Sequence, residues 1–516
     1  MALMSWKVVH GGKTPPPGEV VRPGERLSWG RTIGLGGQHV VAMFGATFVF
    51  PVIMGLNPNV AILFSGIATI LFLLIVKGRV PSYLGTSASF VAGVAAIRAQ
   101  GGDSSDVTGA ILVAGLVLAA VGVFVHFAGA GLVHRVLPPS VTGAVVMLIG
   151  FNLAPVVAGV YWPQDQYVAL LTMTAVILMA VLLRGFWARI AIFLGLIFGY
   201  LLSWAFDGIF GQITSLNPGV GEVTTHDRIS WASVKAADWI GLPDRTAVVD
   251  GKEVPGFHAP TFSMTFILLV LPSVIALIAE NTGHVKAVAE MTGDDLDPYL
   301  GRALAGDGLG TALASAFGGS PTTTYAENIG VMAATRIYST AAYYVAAIAA
   351  ILFGFCPKFG ALINSTPGGV LGGITVVLYG MIGLLGAKIW IENRVDFANP
   401  INLVPLAAGI VAGIGGVNMQ FNDDFSLGGI ALGTLVTIIG YHLVRWLAPD
   451  YMQESIRTGR PFGGGTAIAV GRTGEHAALG EDAHVGGRDE HGSGHGQQEA
   501  APPSSRRGQE RPETHQ

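Results

Sequence analysis

Long stretches of this chain carry too few charges to clothe a water-facing surface, and that limits the folds open to it more than any motif does. Residues 1–32 hold 7 of the 62 charged side chains, 207–260 hold 11 and 449–516 hold 17. The other 362 residues hold only 27. Charged residues make up 12% of the chain against about 25% in ordinary soluble proteins, and a soluble domain cannot cover itself with so few. A soluble enzyme, a nucleic-acid binder and a secreted disulfide scaffold are excluded. The single cysteine, Cys356, rules out an intrachain disulfide and a Cys-rich metal site. An all-α polytopic membrane protein remains.

Fourteen apolar segments can be read, numbered here as spans one to fourteen. The first seven cover 33–54, 58–76, 80–97, 108–132, 138–160, 167–183 and 190–206. The second seven cover 264–285, 303–318, 321–335, 338–356, 366–387, 400–418 and 427–447. These give an N-terminal segment (1–32), a first seven-span repeat (33–206), a polar loop (207–262), a second repeat (263–448) and a disordered tail (449–516). No signal peptide is visible in the polar, Pro-rich N-terminus.

Charge asymmetry supports the count. With the N-terminus in the cytosol, loops after even-numbered spans carry Lys77, Arg79, Arg135, Arg184, Arg189, Lys286, Arg302, Arg336, Lys388 and Arg394. Short loops after odd-numbered spans carry only Arg98 and Lys358. The bias is that of the positive-inside rule, so both termini should be cytosolic and the 207–262 loop extracellular.

Seven is odd, so the two halves must run in opposite senses, as an inverted repeat. Pro81 opens span three in PSYLGTSASF and Pro321 opens span ten in PTTTYAENIG, an offset of 240. Both spans are short and rich in Ser, Thr, Tyr and Gly. Irregular backbone at membrane depth is tolerated only where it lines a cavity, and paired broken spans point to a transporter's binding site. An extended piece is expected near 84–88 and another near 323–327, each followed by a half-helix whose free N–H groups face a ligand.

Ionisable groups in the apolar segments fall on the same elements. An intramembrane carboxylate is costly and functional by default. Glu280 follows ILLVLPSVIALIA in span eight, and His284 lies one turn later on the same helical face. Glu327 lies in TTTYAENIGVMAA of span ten, beside Tyr325, and His39 lies in span one. Asp307 of span nine, in Gly-rich surroundings, reads as a packing or boundary residue. Two carboxylates, a phenol and free N–H groups suit a planar ring with alternating donors and acceptors, such as a nucleobase. The five tail histidines (His476, His484, His491, His495, His515) read as solvated rather than metal-binding.

The motifs QHVVAMFGATFVFP, PSYLGTSASF, AENTGHVKAVAEMTG and TTTYAENIGVMAATRIYS resemble the nucleobase–cation symporter family, also called nucleobase–ascorbate transporters. The similarity runs from Gly34 to Leu447 and is greatest to the uracil permease branch, including its Rut-type pyrimidine permeases. It implies a core domain of spans one to four and eight to eleven, and a gate domain of spans five to seven and twelve to fourteen. It implies that Glu280 binds the base and takes part in proton coupling with His284 and His39. Glu327 would bind the ring, with Tyr325, Ala326, Ala88, Ala46 and the gate residue Tyr379 around it. Ala88 stands where the branch has Phe, and Ala326 where it has Gly.

The expectation is a proton-coupled importer of a pyrimidine base, uracil foremost, in the inner membrane. It would need no cofactor and no resident metal, would not bind nucleic acid, and would form a homodimer through its gate domains. Sodium coupling is left open. A xanthine or urate permease and an anion exchanger or channel of 7+7 architecture are the alternatives.

Overall fold

The computed structural model describes residues 5–16, 19–129, 131–217, 222–243, 247–249, 252–421, 426–427 and 429–458. Its helices occupy the apolar segments in order. The first half holds Trp29–Ile53, Pro58–Ile75, the broken span three, Ser104–Ala128, Pro139–Phe151 with its continuation to Gln164, Gln166–Leu182 and Ala191–Phe210. The second half holds Met264–Val270 with Pro272–Thr292, Asp297–Ala316, the broken span ten, Thr340–Gly354, Gly368–Glu392, Pro400–Ile414 and Gly429–Leu447. Among the described residues, eight helices are long and apolar enough to cross a membrane. A ninth is added if Thr340–Gly354 and Pro357–Asn364, bent by 84°, form one span.

Two groups of helices emerge from what packs on what. Span four lies along span nine, span two along span eleven, and spans two and nine touch. In the other group, span twelve packs on spans five and six, span thirteen on five, and seven and fourteen on six and thirteen. Exchanging each span for the one seven later turns the 4–9 contact into 11–2, the 6–12 contact into 13–5, and 6–7 into 13–14. Each of these pairs is present. The contact pattern itself is therefore duplicated.

Glycines set how close the main pairs come. Gly115 and Gly122 of span four meet Gly308 and Gly301 of span nine, each spaced seven residues apart, and a Cβ at any of the four would overlap backbone of the facing helix. Small residues that let backbones touch are the usual glue between helices in lipid. Gly308→Val is expected to destabilise the protein by about 1–3 kcal/mol, because backbone atoms cannot swing aside as a side chain can. Thermal unfolding in detergent measures it.

Three segments depart from expectation. Span five does not end as one regular helix. Past Phe151 it passes through Ala154–Val156, a wide turn at Val157–Tyr161 and a tight one at Trp162–Gln164, with Pro155 and Pro163 removing backbone donors. The tail expected to be disordered begins with a helix, Asp450–Thr458. The rest of that expectation, 459–516 with its histidines, lies outside the described residues. The N-terminal segment is laced to the turn after span ten. Val21 N–H donates to Arg336 O (3.1 Å), Tyr338 N–H to Val21 O (2.8 Å) and Thr340 N–H to Pro23 O (3.1 Å), and Trp6 Nε1 donates to the Thr340 hydroxyl (2.8 Å).

The 207–262 loop contains a hairpin, Ile213–Asn217 with Glu222–His226, a short helix, Ala232–Ala236, and a strand pair, Ala247–Val249 with Lys252–Val254. Arg228 anchors it, donating from Nε to Asp165 (2.7 Å) and from Nη1 to Asp207 (3.0 Å) and to Gly211 O (2.9 Å). Asp165 caps span six and Asp207 lies in the last turn of span seven. On its other side, the loop meets the end of span eleven. Lys358 N–H donates to Asp238 O (2.9 Å) and Gly241 N–H to Phe355 O (3.0 Å).

Candidate functional site

The two broken spans supply the scaffold. Pro81 and Pro321 have no N–H to give a helix, and the β-branched run Thr322–Thr324 favours extended backbone. Leu84–Thr86 pairs antiparallel with Thr322–Thr324, matching Leu84 to Thr324, Gly85 to Thr323 and Thr86 to Thr322. Flanking bonds run from Tyr325 N–H to Tyr83 O (3.0 Å) and from Ser87 N–H to Pro321 O (2.9 Å). The ladder is centred on Gly85 and Thr323, which lie 238 positions apart (323 minus 85). The halves therefore correspond at 238, not at the 240 of the two prolines. The shift of two keeps every side chain on its expected face. Ser87 then matches Tyr325, Ala88 matches Ala326 and Ser89 matches Glu327. Gly85 has to be glycine, since a Cβ there would run into the Tyr325 ring and the Thr47 hydroxyl.

The half-helices begin where the extended pieces stop, at Ala88–Phe90 leading into Val91–Ala99 and at Ala326–Thr335. Tyr325, the residue before the second half-helix, gives its N–H groups no side-chain cap. Glu327 sits in that first turn, where a negative charge is favoured by the helix dipole. Glu280 accepts from the Thr323 hydroxyl at 3.4 Å and lies within Coulomb reach of both Glu327 and Asp307. Glu280, His284, Glu327 and Ala88 are half-buried, and Ala326 and Gly283 are exposed, so this cluster is open on one side rather than sealed in the core.

A second layer lies behind. Tyr325 is buried, and its hydroxyl donates to Thr86 O (2.9 Å) and accepts from Thr47 (3.1 Å). It braces the two strands and has no proton left for a ligand. His284 Nδ1 meets the Thr324 hydroxyl at 2.7 Å, Thr324 donates to Asn281 Oδ1 (3.3 Å), and Asn281 Nδ2 donates to Asp307 (2.5 Å). His39 is buried and packs its ring 4.3 Å from that of Tyr343. Asn328, the residue after Glu327, donates to His39 O at 3.0 Å and lies 3.1 Å from its Nδ1.

The structure thus gathers Glu280, Glu327, His284, Tyr325 and Ala326 around one strand pair, with Ala88 at the opposite end of the ladder and His39 joined through Asn328. Ala46 is buried in span one beside Thr47. Tyr379 is placed differently. It lines a cavity of about 480 Å³ with Gly150, Phe151, Ala154, Val157, Ala158, Trp162, Val376 and Gly380, all from spans five and twelve, and its buried hydroxyl has no partner among the described residues. Asp307, read as packing, is fully buried behind Glu280. The sequence assigns no role to Thr323 and Thr324, and marks Asn281 and Asn328 only as the residues that follow each Glu. The run of three threonines and the Asn after each Glu were the available signals. Among the described residues no group of three or more His, Cys, Asp or Glu is close enough to hold a metal ion.

Comparison with known proteins adds a lineage to this geometry. Residues 30–421 match the Xan_ur_permease model, described as a permease family. The putative pyrimidine permease RutG of Escherichia coli K12 is 44% identical over 427 residues, covering 81% of this chain and 91% of that one. The uracil permease of Bacillus caldolyticus is 37% identical over 80% of this chain and 92% of its own. The uracil permease of Escherichia coli K12 is 35% identical over 81% and 93%. Among solved structures, the inward-facing murine Solute Carrier 26 family member A9 anion transporter superposes with a TM-score of 0.57 at 11% identity, covering 81% of this chain and 68% of that one. At that identity the likeness concerns the fold alone. The chain is a multi-pass membrane transporter rather than an enzyme, and it belongs to the nucleobase–cation symporter family, on its uracil permease branch.

Proposed function

We propose that the protein imports a pyrimidine base, uracil foremost, across the inner membrane together with protons, by alternating access. The observation that carries this reading is the half-buried cluster beside the paired strands, where Glu280 and Glu327 act on each other's charge in a chain whose relatives are named as uracil and pyrimidine permeases. The carboxylates accept ring N–H groups, and the uncapped N–H groups of the half-helix donate to ring carbonyls. Ala88 and Ala326 leave room beside the ring.

Protonation of Glu280 neutralises the loaded site. A core of spans one to four and eight to eleven then moves against a gate of spans five to seven and twelve to fourteen. Both termini face the cytosol, and the gate helices pair two copies into a dimer. An anion-exchange reading would need a cation at the strands. The described residues supply Glu280, Glu327 and Asp307 there instead. Thermal-shift panels of bases on purified protein, at two pH values with and without sodium, test the proposal. Uracil stabilisation that responds to pH and ignores sodium supports it. Stabilisation by xanthine or urate alone redirects it to purines, and none by any base rejects it.

A further inference from the structure

The hydrogen bonds behind the cluster have a fixed direction. Asn281 spends both amide protons, one on Leu277 O (3.3 Å) and one on Asp307. That fixes which end of the amide faces Thr324: Oδ1, which can only accept, and Thr324 supplies that bond. A threonine hydroxyl has a single proton. Having given it to Asn281, Thr324 can only accept from His284, so the His284 proton sits on Nδ1. Nε2 makes no hydrogen bond among the described residues, and the ring is half-buried in the open-sided cluster.

We propose that Asn281 is a positioning residue: through Thr324 it holds His284 with Nδ1 protonated, so that Nε2 presents a lone pair to the cluster. Asp307 fixes Asn281 in turn, by accepting one end of its amide. The chain Asp307–Asn281–Thr324–His284 thus joins spans nine, eight and ten into one directed relay. Besides its own Asp307 and His284, the titratable groups beside it are Glu280 and Glu327. The relay makes His284 an acceptor for a ring N–H or for a proton passed from Glu280. This last step rests on the transport reading; the tautomer does not.

The test is nitrogen NMR of the purified, ring-¹⁵N-histidine-labelled full chain without any base, with His284→Gln identifying the His284 signals. The expected result is a protonated Nδ1 and an unprotonated Nε2 in the native protein near neutral pH. In Asn281→Leu, Thr324 is free to donate to the ring, and the proton moves to Nε2. Thr324→Val removes the acceptor for Nδ1 and releases the ring in the same way, while Thr324→Ser restores the native signals; this pair decides the matter if Asn281→Leu does not fold. A proton on Nε2 in the native protein, or an unchanged ring in Asn281→Leu and Thr324→Val, overturns the proposal. In proteoliposomes, uracil uptake is expected to fall about tenfold or more in Thr324→Val and to recover in Thr324→Ser. If no base is carried even by the native protein, the transport reading fails while the NMR result still decides the tautomer.

Discussion

Glu280→Gln is expected to abolish proton-driven accumulation of uracil while leaving downhill exchange of the base measurable. Glutamine has the shape of a protonated glutamate and cannot ionise, so the site is locked in its neutral form. Exchange of labelled for unlabelled base needs only that form to cross between the two openings. Accumulation needs a group that takes a proton on one side and loses it on the other. Because the loaded site is neutral in both proteins, base binding should weaken by no more than about 0.5–1.5 kcal/mol, up to roughly tenfold. Uptake into proteoliposomes with and without an imposed pH gradient separates the two effects. Full concentrative uptake by the variant would remove Glu280 from the coupling step. The Thr323 hydroxyl at 3.4 Å and the neighbouring Glu327 and Asp307 make this the position where one charge matters most.

Arg228→Leu is expected to cost about 3–5 kcal/mol of stability, since removing one partner of a buried ion pair strands the other. The Arg228 side chain is 10% exposed, and that of Asp165 is 5% exposed. Without Arg228, two carboxylates remain in a place built for a cation between them. The loss falls on the joint where the 207–262 loop meets the ends of spans six and seven. Thermal unfolding of the variant in detergent reads it. An Arg228→Leu, Asp165→Leu double variant should recover part of the deficit, because it leaves fewer stranded charges. Equal stability of native and single-variant protein would show that water reaches the cluster.

Much of this architecture is legible in the residues because prolines and hydroxyl side chains mark where a helix cannot continue. PSYLGTS and PTTTYAE locate both strands to within three residues, the helices beginning at Ala88 and Ala326 rather than past 88 and 327. The register between them is not written there. Pro81 and Pro321 show where helical bonding fails, whereas the ladder centres itself where Gly85 lets the Tyr325 ring approach. Glu280, His284 and Glu327 stand out because charge is rare around them. Asp307 does not, since a glycine-rich helix looks the same whether its neighbours are lipid or carboxylates, and only the packing of span nine behind span eight decides. Asn281 and Thr324 are polar residues of an ordinary kind, and their meaning lies in contacts between distant segments. Tyr379 came from family likeness, and the fold sets it in a cavity of spans five and twelve.

The bonds from Val21 and Pro23 to Arg336, Tyr338 and Thr340 have a practical consequence. The amino end of the chain is stitched to the knot that closes the helix bearing Glu327. A fusion tag or affinity handle placed there is therefore not an inert appendage. A load that peels the first two dozen residues away also frees the C-terminal foot of that helix, and ligand affinity measured on such a protein would include the cost of setting it back.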